Sequence, residues 1–241
     1  MKATAKVLVN GLTLLALLMS SCEKSETENE LPIPQNQEEG FKSMTNESDS
    51  EIDVTSETIL PLLHLKYDAS LSREEADAAF ALEIAKYEKE NTTLHTNRSS
   101  SYLRFQVSTR TGAHAYSQTS GNVWGRFSFM TDQGFKVLPW VRMDNEGEDR
   151  QNDSWDFYYF GTHIPSMNWV EAKNASLALQ GTDGWYVKWF DVRVYSWHQY
   201  SNATGSSRIL SDPEQWLDNT TSSGWDFYHT NSTGYGRLNF N

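Results

Sequence analysis

From Tyr102 onward, apolar and polar residues alternate along the chain in short runs. Leu103, Phe105 and Val107 alternate with Arg104, Gln106 and Ser108, the period-two pattern of a half-buried strand. A Thr-Arg-Thr-Gly turn follows. The next strand is expected over 123–129, with Val123, Phe127 and Phe129 on one face and Trp124 and Arg126 on the other. After a turn at 131–134, residues 135–140 read as a short strand ended by Pro139. A strand over 154–160 places Trp155, Phe157 and Tyr159 on one face. Residues 169–179 and 184–195 read as two longer strands joined by Gln-Gly-Thr-Asp-Gly. The tail, 224–241, holds one or two more strands that close a sheet edge. Its Trp-Asp-Phe-Tyr at 225–228 echoes 155–158 through shared strand composition. Many short strands between Gly, Asn and Asp turns predict a mainly β fold, an antiparallel β-sandwich, with large aromatic rings between the sheets.

Before Tyr102 the pattern changes. Ser72 and Glu75 have the spacing of a capping box, and Ala76, Phe80, Ile84 and Tyr87 recur at helical intervals. A short α-helix is therefore expected over 72–89, lying on its own domain, after a strand or extended segment at 59–67. Residues 91–101 form a polar connector. Residues 31–58 are acidic, with Phe41 the only aromatic ring, and cannot bury enough apolar surface to order themselves. The expected division is a signal at 1–21, a disordered acidic tether at 22–58, the extended segment and helix at 59–100, and the sandwich at 101–241.

The first residues combine Lys2 and Lys6 with an apolar run, Val7 to Met19, that is too short to span a bilayer. Small residues Ser20 and Ser21 precede Cys22, the only cysteine. The string Leu-Met-Ser-Ser-Cys resembles the lipobox of bacterial lipoproteins, with Met19 where that family prefers Leu. The resemblance implies cleavage before Cys22 and diacylglyceryl or palmitoyl groups on the new terminus, a membrane anchor of at least two chains. The acidic stretch Glu23 to Glu30 resembles the surface-export signal of Bacteroidetes lipoproteins and reads equally as a solvated tether. Together these imply the outer membrane of a bacterial envelope, with exposure at the cell surface. A formal net charge of −12 argues against nucleic acid, whose phosphates need a basic surface.

The order of the sandwich segments resembles the PLAT (LH2) domain over residues 102–217. The matching features are the Thr-Gly turn in Phe-Gln-Val-Ser-Thr-Arg-Thr-Gly and the small-residue loop into Asn122-Val123. They continue with Asp156-Phe157 at a mid-domain strand start, Trp185 leading a long strand, and Trp216-Leu217 near the end. Ser120 stands where the family often carries an Asp that helps some members bind calcium. The resemblance implies a non-catalytic module for lipid or protein ligands.

Chemistry-bearing motifs are sparse. The histidines show no His-Glu-x-x-His, no Gly-x-Ser-x-Gly elbow occurs, and Cys22 is committed to lipid, so no enzyme is expected. Asp144, Glu146, Glu148, Asp149 and Asp153 sit in one acidic loop and offer the hard oxygen ligands that calcium takes. A solvated loop is the competing reading. Strand alternation leaves Trp124, Trp140, Trp169, Trp197 and Tyr200 as candidates for the surface, the four tryptophans as candidate ligand-binding residues, with core or edge-covering rings the competing reading for most of them. Planar rings near Asn and Asp suit sugar faces, and a glycan is the alternative ligand to lipid or protein.

Overall fold

The computed structural model describes residues 59–91, 102–143, 150–195, 203–218, 224–231 and 233–240. The signal, Cys22 and the tether lie outside the described residues. Among the described residues no helix is long and apolar enough to cross a membrane.

Among the described residues twelve strands and one helix make an antiparallel β-sandwich. In chain order they are β1 (Leu63–Asp68), helix α1 (Arg73–Glu90), β2 (Tyr102–Thr111), β3 (Asn122–Thr131), β4 (Gly134–Val137) and β5 (Val141–Arg142). Then follow β6 (Ser154–His163), β7 (Trp169–Gln180), β8 (Trp185–Tyr195), β9 (Thr204–Ser211), β10 (Gln215–Leu217), β11 (Trp225–His229) and β12 (Tyr235–Asn239). The hydrogen-bonded path runs β1-β6-β2-β8-β9-β12-β7-β3-β4. Strands β1, β6, β2 and β8 form one layer, and β4, β3 and β7 the other. The β9–β12 pair links them. Phe105 of β2 meets Phe127 and Phe129 of β3 at 5.2 and 5.5 Å across the core. Such offset and edge contacts between rings fill the inter-sheet space at close-packed density.

The predicted capping box is present. Ser72 Oγ accepts from the Glu75 backbone N–H at 3.3 Å, and Glu75 Oε2 accepts from the Ser72 N–H at 2.8 Å. The predicted stripe is buried too: Ala76, Phe80 and Ile84 pack on Trp155, Phe157 and Tyr159 of β6. That packing corrects the sequence reading in two places. Those three β6 aromatics fill the space between sheet and helix, while Tyr158 and Phe160 face the inter-sheet core. Strand β2, expected to be half-buried, is buried on both faces, with Arg104, Gln106 and Ser108 all at 1 % exposure or less. Helix α1 lies over their side of the sheet: Gln106 Nε2 donates to Asp77 Oδ1 at 3.1 Å, and Arg104 Nε lies 3.6 Å from Glu88. A third difference is local. The strand expected up to Pro139 ends at Val137, and pairing with β3 resumes at Val141.

Ion pairs fix the helix on this face. Asp191 of β8 accepts from Arg208 Nε and Nη2 at 2.6 and 2.9 Å, and from Arg193 Nε at 2.5 Å. Arg193 also reaches Asp77 of α1 at 2.6 Å. Burial pushes the Asp191 carboxyl up, to about 7, against the pull of Arg193 and Arg73. The same carboxylate raises Arg193 above its ordinary value, although burial opposes it. The close, multiple donors favour the ionised pair.

Candidate functional site

Helix α1 covers the outer face of one sheet. The outer face of the other carries a patch of packed aromatic rings, and the sheet register builds it. In β7, Ala178 is the register partner of both Trp124 in β3 and Phe227 in β11. Two residues either way, Gln180 opposes Asn122 and Trp225, and Ser176 opposes Arg126 and His229. Period-two alternation puts all of these on the outward face. The small Ala178 side chain leaves room above the central strand, and Trp124 packs against it with 5 % of its surface exposed. Trp140, Trp225 and Phe227, each half-buried, lean on that pair.

The ring geometry is regular. Trp124 meets Trp225 at 6.4 Å and 62°, and Trp140 meets Phe227 at 6.1 Å and 52°. Along β11, Trp225 and Phe227 stand 6.3 Å apart at 27°, and Phe227 and His229 6.1 Å apart at 4°. The Arg126 guanidinium sits 5.8 Å from the Trp140 ring. Ser176 Oγ lies 2.7 Å from His229 Nδ1 and orients that imidazole. The alternate residue of β11, Tyr228, points into the core and pairs its hydroxyl with Ser211. The patch is therefore a rigid, mostly apolar platform with imidazole, amide and guanidinium groups at its border. Flat apolar ring surface with polar edges binds amphipathic planar ligands at little ordering cost, because mutual packing already fixes the rings.

Two of the four predicted tryptophans, Trp124 and Trp140, meet here. Trp124 corrects the sequence reading: it faces outward as expected, yet its neighbours bury it. Trp169 stands at the opposite end of β7, half-buried, under the Arg237 guanidinium at 3.9 Å. Trp197 and Tyr200 lie outside the described residues. Trp225, Phe227 and His229 were not singled out from the sequence. Their signal was the period-two spacing in the tail, read there only as strand composition. Of the acidic loop, Asp144, Glu146, Glu148 and Asp149 lie outside the described residues. Asp153 is engaged by Arg110 Nη2 at 2.9 Å, with its backbone at φ +49°. Among the described residues no group of three His, Cys, Asp or Glu is placed to hold a metal ion.

Two other polar places have different characters. A groove of about 630 Å³ lies beside the start of α1, lined by Arg73, Arg110, Trp155, Lys188, Trp189 and Asp212 among others. Its tryptophans carry guanidiniums on their faces, Arg73 at 4.7 Å from Trp189 and Arg110 at 5.1 Å from Trp155. Elsewhere His64 Nε2 lies 3.1 Å from Asp156 Oδ1, while Ser154 Oγ donates to the Gln151 carbonyl at 2.8 Å and lies 3.5 Å from Asp156 Oδ2. The hydroxyl is directed to that carbonyl, so this trio lacks the hydroxyl-to-imidazole hydrogen bond that activates a serine.

No protein-family profile matches the chain, and no curated protein matches it. Solved structures similar to it include alpha-toxin of an avian strain of Clostridium perfringens, at 19 % identity and TM-score 0.38. That match covers 66 % of this chain and 43 % of the toxin. Alpha-toxin from Clostridium absonum matches at 16 % identity and TM-score 0.36, over 54 % of this chain and 31 % of that one. A coral 8R-lipoxygenase, described as activated by calcium through a C2-like domain, matches at 13 % identity and TM-score 0.36. It covers 52 % of this chain and 16 % of the enzyme. The chain thus spans less than half the length of each of these three proteins.

Proposed function

We propose that this protein is a non-catalytic binding module of a bacterial cell envelope, held by acylated Cys22 on an acidic tether, and that it takes glycan on the outer aromatic face. The observation that carries the reading is the platform of Trp140, Trp225 and Phe227 braced over Trp124 and Ala178. The C–H faces of a pyranose are apolar and its hydroxyls lie at the edge. Stacking on the rings removes apolar surface from water while Gln180 and Arg126 border the hydroxyls. Among the described residues helix α1 covers one outer face, and the other carries the aromatic patch. The test uses the full chain with Cys22→Ser, so that no acyl group intervenes. Electrophoresis through gels containing unbranched β-linked glucan, xylan or mannan is expected to retard it, and Trp140→Ala to abolish the retardation with folding intact. Migration unchanged by every polysaccharide removes the reading.

A second reading follows from Tyr116, which is 84 % exposed at φ +64° in the loop between β2 and β3. An exposed tyrosine at a loop tip suits the lipid headgroup region, and the resemblance to PLAT domains implies lipid or protein ligands. Co-sedimentation of the same variant with phosphatidylcholine vesicles, lost in Tyr116→Ala, supports that reading over the glycan one.

A further inference from the structure

Trp225, Phe227 and His229 occupy alternate positions of β11 and so share one face of the strand. A strand rises about 3.4 Å per residue, which sets such neighbours roughly 6.8 Å apart. The ring centroids stand at 6.3 and 6.1 Å with their planes 27° and 4° apart, a file of nearly equal steps. On its β7 side the file is walled, since Trp124 meets Trp225 and Trp140 meets Phe227. On its other side β11 pairs with no strand among the described residues. The last ring of the file is held from below: Ser176, 1 % exposed, bonds His229 Nδ1.

Resting on the glycan reading of this face, we infer that the ligand is an unbranched sugar chain laid lengthwise along β11, with one pyranose ring over each of Trp225, Phe227 and His229. The repeat of the file is of the order of one sugar unit in an extended chain, so successive units fall near successive rings. On the β7 side a branch would meet the Trp140 ring, which packs against Phe227. His229 is then the third subsite, and Ser176 is a positioning residue that acts through it. An extended peptide would instead seek the open backbone edge of β11, and its binding would be indifferent to the side chain at 229.

The experiment is isothermal titration of the full chain carrying Cys22→Ser with β-linked glucose, xylose and mannose oligomers of two to six units. Affinity is expected to rise by up to roughly tenfold from two units to three and then to level off, a step the size of one added stacking contact. His229→Ala and Ser176→Ala are expected to flatten that step while leaving the two-unit affinity and the melting temperature unchanged. Weaker retention of side-branched polymers than of unbranched ones is the companion result. A flat length series, equal affinity for branched chains, or a step that survives His229→Ala overturns the lengthwise arrangement, even where Trp140→Ala still abolishes binding and the glycan reading stands. Absence of binding by every oligomer and polymer overturns both.

Discussion

Trp124 and Ala178 are direct register partners across β3 and β7, and the bulk of one packs against the methyl group of the other. That pairing is what lets Trp124 lie under its aromatic neighbours at 5 % exposure. Ala178→Leu inserts three carbons into this contact. Overpacking of this kind costs about 1–3 kcal/mol, and the displaced indole is expected to tilt Trp140, Trp225 and Phe227. Urea denaturation measures the loss, and tryptophan near-ultraviolet circular dichroism reports the change in ring packing. An unchanged spectrum rejects the account of how the platform is held.

Phe80 is fully buried and meets Phe157 at 5.3 Å. It is the central anchor between helix α1 and β6. Phe80→Ala is expected to cost about 3–5 kcal/mol, the usual loss for truncating a buried aromatic ring. Because the contact lies on the opposite outer face from the aromatic platform, any polysaccharide retardation should persist wherever the variant remains folded. A destabilisation below about 1 kcal/mol would show that the helix contributes little to the fold.

Asp191 balances buried guanidiniums. Asp191→Ala leaves Arg208 and Arg193 without the carboxylate that accepts from both. Removing one partner of a buried ionic group costs about 3–5 kcal/mol, since the remaining charges stay desolvated. Chemical denaturation of the variant should show a loss of that order. Adding Arg208→Met should recover part of it, because the orphaned charge disappears.

Glu171 gives the stability a dependence on acid. Burial pushes its carboxyl up, but hydrogen bonds and charge from Lys173 and Arg237 outweigh that and hold it below the ordinary value of 4.5. A carboxyl lowered in the folded state contributes stability that is complete above the unfolded value and is lost as pH falls through the folded one. Melting temperatures below about pH 4.5 should therefore fall less steeply for Glu171→Gln than for the parent protein. Parallel curves would sink the assignment.

The sandwich and its helix were legible in the sequence because both rest on local periodicity. Leu103, Phe105 and Val107 alternate, Ala76, Phe80 and Ile84 recur at helical spacing, and Ser72 and Glu75 cap the helix. Each signal depends on neighbours a few residues apart, and backbone geometry turns such spacing into a face. Alternation also put Trp124 on the side of β3 away from the core.

What lies beyond a face is a matter of contacts across long stretches of chain. No local rule says that helix α1 covers Arg104 and Gln106, which made an apparently half-exposed strand a buried one. Nor does the sequence bring Trp124 to Trp225, a hundred residues away, since that meeting depends on both strands choosing β7 as their neighbour. By itself the sequence determined which residues share a side of each strand. Only the tertiary structure decided which sides are covered, because burial depends on the element packed above, and that is settled by the whole sheet.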